Sequence, residues 1–323
     1  MTRWILACGL VLPALAAHAA EAFPSRPISI IVPNPPGGMN DITARPFAAV
    51  MQAHAKQPVV VQNKPGGASA VGTVYVAEQR PDGHNLLMST ANLYLVIERN
   101  KLYNEPATYR LDQIAPVALM SADPLVMVVQ TESPYMTVKD LVDAAKAKPG
   151  TFAFSSSGPY GITHVDIAMF NHAAGLTMRH VPTTGGGPAL VQLLGGHVQV
   201  TSGAPASVYP HVKANKMRVL AHWGVKPIGV MPDVPSLQSL GYDVEAYLWV
   251  GLFTTAGVPE PTFKVLRELV GKTARDPQFV DALGKINNVV DYRDAPYFKK
   301  FFDDDHQRMA VAIQRIGKVD AKK

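Results

Sequence analysis

Short apolar runs rich in β-branched residues alternate with helix-patterned stretches along this chain. That alternation runs through two successive units, and it limits the fold more than any other feature. "PISIIVP" (27–33), "QPVVVQN" (57–63) and "HNLLMST" (84–90) read as strands. Helical patterns lie between them at 41–55 and 70–79, with Pro46 expected either in a first turn or at a kink. The alternation restarts with strands at 124–130, 151–156 and 178–182 and helices at 137–150, 162–174 and 187–194. "HVQVTSG" and "MRVLAHW" add two short strands, and residues 260–323 read as helical and polar. Strands separated by helices imply βαβ units, a parallel sheet in each unit and an α/β fold class.

A second regularity lies in the turns at the strand ends. "VPNPPGGMNDI" (32–42), "SSSGPYGITHVD" (155–166) and "VPTTGGGPALVQLL" (181–194) are strand-to-helix turns made of Gly, Pro and small polar residues. Open α/β sheets bind ligands at the carboxyl ends of their parallel strands. Helix starts there offer N–H donors and a partial positive charge to an anion. The three glycines at 185–187 suit a close backbone approach to a ligand or a turn with positive φ. Thr163 suits an N-cap, Asp41 suits a cap of the first helix, and His164 suits either a solvated first-turn position or an anion seat. Thr90 and Ala91 close the third strand in small groups. None of these loops carries Lys or Arg, so an anion there would be held by N–H groups, hydroxyls and helix dipoles.

Other chemistries find little support. Asp166 and His164 are two residues apart at a helix start and do not share a face, so a Ser-His-Asp triad is not expected. G-x-S-x-G, S-x-x-K, H-E-x-x-H, Walker and C-x-x-C patterns are missing, and no metal or other cofactor is expected. The net charge of +5 comes from scattered lysines and arginines, so no nucleic-acid footprint is expected. Residues 1–20 read as a secretory signal peptide: Arg3, an apolar run over 4–17, and the small-x-small "Ala17-His18-Ala19". Cys8, the only cysteine, lies inside that run, and lipidation there is not expected. The expected product is a periplasmic monomer.

On "FPSRPISIIVPNPPGGMND", "QPVVVQNKPGGASAVGTVYVAEQRPDGHNLLM", "LVDAAKAKPGTFAFSSSG", "GITH", "GGGPALVQLLGGHVQV" and "PHVKANKMRVLA", the chain resembles the Bug periplasmic receptors of tripartite tricarboxylate transporters. The resemblance runs from residue 23 to about 320. It implies a two-lobed periplasmic-binding-protein (Venus flytrap) fold, each lobe a mostly parallel sheet flanked by helices, with two or more crossovers. Lobe 1 would be 21–121 plus 243–323, and lobe 2 would be 122–242. It implies no catalysis, a small organic acid as ligand, and delivery to a two-component membrane permease or a sensor.

The ligand residues it implies lie in three groups. The opening loop supplies Asn34, Gly37, Gly38, Met39, Asn40 and Asp41, with Thr90 and Ala91 beside it. The facing loops supply Ser156, Ser157, Gly158, Tyr160, Gly161, Thr163, His164 and Thr183. Gly203 and Tyr247 complete the set, although aromatics placed like Tyr247 and Trp249 near a crossover are more often core residues. The chain departs from the family pattern at Asn34, Met39, Asn40, Pro159, Tyr160, Gly161 and Gly203. These departures remove hydroxyl and acidic contacts and add bulk at Met39 and Tyr160. They favour a ligand with one carboxylate and an apolar or aromatic part over a tricarboxylate or a zwitterionic amino acid. The competing expectations are a secreted α/β hydrolase using Ser157 or His164, and a purely structural envelope protein.

Overall fold

A computed structural model describes residues 23–286 and 288–319, apart from the Ala68 side chain. The expected signal peptide and Cys8 lie outside the described residues. Two mixed sheets carry the fold. The six-stranded sheet holds β1 (Ile28–Val32), β2 (Val59–Asn63), β3 (Asn85–Ser89), β4 (Ile114–Pro124), β10 (Tyr247–Thr255) and β11 (Arg293–Asp294), in the order β11-β4-β10-β3-β1-β2. The five-stranded sheet holds β5 (Val126–Gln130), β6 (Ala153–Ser156), β7 (Arg179–Pro182), β8 (Val200–Gly203) and β9 (Met217–His222), in the order β7-β6-β8-β5-β9. β2, β1 and β3 are parallel, as are β7, β6 and β8. β10 and β5 run antiparallel to their neighbours, so neither sheet is purely parallel.

The helices are α1 (Met39–Ala55), α2 (Ala70–Ala77), α3 (Asn92–Tyr103), α4 (Val138–Ala147), α5 (Ile162–Ala174), α6 (Gly186–Leu194), α7 (Pro205–Lys213), α8 (Glu260–Ala274), α9 (Pro277–Gly284) and α10 (Ala295–Ile316). β1 shows why such strands read as continuous apolar runs. Ile28, Ile30 and Val32 pack with Phe47 of α1, Leu266 of α8 and Phe279 of α9, whereas Ile31 faces the other way with Val76 of α2. A strand buried on both faces loses the polar alternation of a half-exposed one.

Several elements differ from the expectations. Pro46 lies at the eighth position of α1, not in its first turn. α3, α7 and the full lengths of strands β4 and β10 go beyond the sequence pattern, and a short β11 interrupts the helical C-terminal region.

Two chain segments join the sheets. β4 leads through Leu125 into β5, and the segment after β9 returns through Val244 and Ala246 to β10. Helix α10 then packs on α3 and β4 of the first sheet's side and on α5 of the second. Its Asp305, fully buried, accepts hydrogen bonds from Tyr94 Oη and from Trp249 Nε1 (2.8 Å), and Arg308 pairs with it at 2.7 Å. Trp249, fully buried and bonded into this node, is a core residue.

Candidate functional site

The carboxyl ends of β1 and β3 and those of β6 and β7 border two adjoining cavities. The smaller, about 420 Å³, is lined by Asn34, Asn92, Leu95, Val96 and Arg99 from one side and by Ser157, Gly158, Pro159, Tyr160, Gly161, Thr184 and Gly185 from the other. The larger, about 880 Å³, shares Val96, Arg99, Pro159 and Tyr160 and extends to Ala70, Tyr103, Glu105, His180, Pro182 and Val319. That size lies toward the upper end of small-molecule sites.

The opening loop is built around an acid. Asp41, in the first turn of α1, accepts from Gly37 N (2.9 Å), Asn63 Nδ2 (2.9 Å) and Arg45 (3.0 and 2.8 Å). Burial alone would raise its pKa, but the Arg45 guanidinium and the Gly37 N–H outweigh it and hold the carboxyl below its ordinary value. Gly37 takes φ 85°, where a Cβ would be strained, and Gly38 is the N-cap of α1. Asn40 is buried and donates to Asn34 Oδ1 at 2.6 Å. Met39 packs away from the cavities, with its sulfur 3.2 Å from Asn288 Nδ2. The loop therefore presents Asn34 to the cleft and devotes Asp41 and Asn40 to its own shape.

The facing loop is likewise tied to itself. Ser157 N and Ser157 Oγ both bond Thr163 Oγ1 at 2.8 Å, Gly158 N reaches Ser156 Oγ at 3.2 Å, and Gly161 N reaches Gly158 O at 3.2 Å. Helix α5 starts two residues earlier than a Thr163 N-cap requires. Gly161 is the N-cap, and the Thr163 hydroxyl folds back onto the turn instead. Thr183 donates to Ser156 O and Gly185 O, both at 2.8 Å, which fixes the turn into α6. Four N–H groups expected to face a ligand, those of Gly37, Ser157, Gly158 and Gly161, are thus satisfied internally.

His164 is not solvated, and it lines neither of these two cavities. It is 2% exposed, its Nδ1 accepts from Tyr160 N at 2.9 Å, and its ring stacks on His180 with centroids 3.8 Å apart. Burial, helped by the neighbouring His180, pushes its pKa down to about 3, so it is a neutral acceptor. That acceptor holds Tyr160 at φ 58°, an uncommon conformation for a side chain of that size. The Tyr160 hydroxyl then pairs with Tyr103 Oη (2.9 Å), donates to Gly317 O (3.0 Å) and accepts from Val319 N (2.7 Å). Tyr160 thus ties the second sheet's turn to α3 and to the C-terminal segment.

The remaining expected residues lie nearby or elsewhere. Ser156 is buried, with Oγ 2.6 Å from His180 Nε2. Thr90 and Ala91 are buried at the start of α3, and it is the next residue, Asn92, that lines the cavity. A Cβ on Gly203 would point at Val208 and Leu190, away from the cleft. Tyr247 packs edge-on against Phe301 of α10, and its hydroxyl accepts from Val225 N at 3.3 Å. Ser157 and His164 are each bonded to other partners, so they form no nucleophile–base pair.

Arg99 is the residue that loop reading missed. Positions 92, 95, 96, 99 and 103 of α3 recur with helical spacing on the cleft side. That stripe in "ANLYLVIERNKLY" was legible once the segment was taken as a helix. Arg99 Nη2 pairs with Glu105 Oε1 at 3.0 Å, Nη1 reaches Asn100 Oδ1 at 3.0 Å, and the guanidinium lies 4.9 Å from the Tyr103 ring. A guanidinium can bind a carboxylate through two parallel N–H bonds.

Residues 43–318 match the family described as "Tripartite tricarboxylate transporter family receptor". Protein BugT of Bordetella pertussis is 28% identical over 98% of this chain and 98% of its own length. A TctC solute binding protein from Polaromonas, solved without ligand, is 29% identical with a TM-score of 0.79, over 91% of this chain and 99% of that one. MatC from Rhodopseudomonas palustris, solved with bound malate, shares the fold with a TM-score of 0.75 at 22% identity, over 90% of this chain and 99% of that one.

Proposed function

The chain belongs to the tripartite tricarboxylate transporter receptor family, and from that premise we propose that it captures a small carboxylate-bearing solute between its two lobes and delivers it to a two-component membrane permease or a sensor. The observation that carries this reading is Arg99 on the wall shared by both cavities, opposite the turns after β6 and β7. One contact to the guanidinium N–H groups that Glu105 and Asn100 leave open on Arg99, and two or three hydrogen bonds from Asn34, Asn92 and Thr184, would each contribute about 1.5–3 kcal/mol to holding a charged group. The total reaches the roughly −8 kcal/mol of micromolar binding. Malate in the fold-sharing MatC is in keeping with a small acid.

The protein acts as a non-catalytic, monomeric periplasmic receptor. The internally bonded turns support the lack of catalysis, since they hold Ser157 and His164 apart in separate hydrogen bonds. A panel of organic acids in a thermal-denaturation screen tests the proposal. A ligand at a hundred times its Kd stabilises the folded state by about 2.7 kcal/mol, so at least one acid should raise the melting temperature by several degrees. If no acid does so, the reading fails. Hydrolysis of an ester that is lost in Ser157→Ala would support an enzyme instead.

A further inference from the structure

The two cavities differ in character, and Arg99 stands where they meet. The smaller carries Asn34, Asn92, hydroxyls and glycine backbone beside Leu95, Val96 and Pro159, and among the described residues its lining includes no acidic side chain. The larger is walled mainly by Ala70, Val96, Tyr103, Pro159, Pro182 and Val319, and among the described residues the acid in its lining is Glu105. Glu105 is spent on Arg99, which it meets through both carboxylate oxygens.

We propose that this cleft selects an amphiphilic monocarboxylate, with Arg99 and Glu105 as its specificity-determining residues. Arg99 receives the carboxylate from the smaller cavity, and an apolar or aromatic body fills the larger one. Glu105, exposed at the cavity mouth, disfavours a ligand that would place a second carboxylate there, because the two like charges would then stand at short range. A short diacid would also leave much of the 880 Å³ cavity without contacts. This inference rests on the receptor reading above and names the class of ligand within it.

Titration calorimetry with 3-phenylpropanoate, adipate and malate separates the possibilities. The wild-type chain should bind 3-phenylpropanoate at least tenfold more tightly than either diacid. Glu105→Gln should reduce that ratio at least tenfold, since it removes a charge that a monocarboxylate meets once, at Arg99, and a diacid meets a second time inside the larger cavity. Thr108→Trp, an exposed change at the rim of the larger cavity, should weaken 3-phenylpropanoate at least tenfold without changing the melting temperature of the free protein. A wild-type preference for a diacid, or a ratio unmoved by Glu105→Gln, overturns the inference and leaves the receptor reading standing. Failure of every acid in the wider panel to bind overturns both.

Discussion

Replacing His164 with Asn should flatten the acid sensitivity of this protein. An unfolded chain protonates a histidine near pH 6.5, whereas burial and His180 hold the folded His164 near 3. The folded pKa is the depressed one, so the stability tied to neutral His164 is full above pH 6.5 and is lost as pH falls toward 3. Each pH unit in that window removes about 1.4 kcal/mol. Between pH 7 and pH 5 the loss is about 2 kcal/mol, a large share of a typical 5–15 kcal/mol. Asn keeps an acceptor that can reach Tyr160 N–H, and it does not titrate. Urea unfolding followed by the fluorescence of buried Trp223 and Trp249, at pH 7 and pH 5, gives the difference for each protein. The change from pH 7 to pH 5 should be about 2 kcal/mol smaller in His164→Asn. Comparing the two proteins cancels the groups they share, so an identical pH slope would refute a neutral, buried His164.

Asp166 is fully buried, and desolvation raises its pKa to about 7. A raised acid favours the folded state only while protonated, so stability falls as pH rises from about 4 toward 7. Asp166→Asn should stabilise the fold at pH 8 by up to about 4 kcal/mol, measured by urea unfolding, with little effect at pH 4. In Gly72→Ala, the new Cβ would lie 2.9 Å from Pro33 Cα and 3.0 Å from Lys64 O. Both are backbone atoms, so α2 and the opening loop must separate at a cost of about 1–3 kcal/mol, visible in thermal unfolding. Tyr160→Phe removes the hydroxyl that bonds Tyr103 and the C-terminal segment. Hydrogen exchange at the Val319 amide should accelerate, while that within β6 stays unchanged.

Much of the second unit was legible residue by residue. α5 spans the very residues its pattern marked, and Thr137 forms a capping box with Asp140 at the start of α4. The turns that border the site were legible too, because Gly and Pro announce them. Their hydrogen bonding was not legible. Whether an N–H of Gly37 or Ser157 faces a ligand depends on where the Asp41 and Thr163 side chains turn, and each folds back onto its own loop. His164 was misplaced for a related reason. A first-turn histidine is exposed on an isolated helix, but here β7 brings His180 against its ring. Tyr247 looked like a cleft residue until α10 arrived from far along the chain to cover it. Arg99 was missed because α3 mixes apolar, amide and charged residues without one dominant face.

The central claim, capture of an intact small acid in the cleft, is tested most directly by native mass spectrometry of protein purified without denaturation from cells grown on mixed organic acids. One organic acid should be bound per chain, released chemically unchanged on unfolding, and absent from Arg99→Gln prepared in the same way. Protein that carries no acid under any growth condition, or that releases a chemically altered one, would contradict the account.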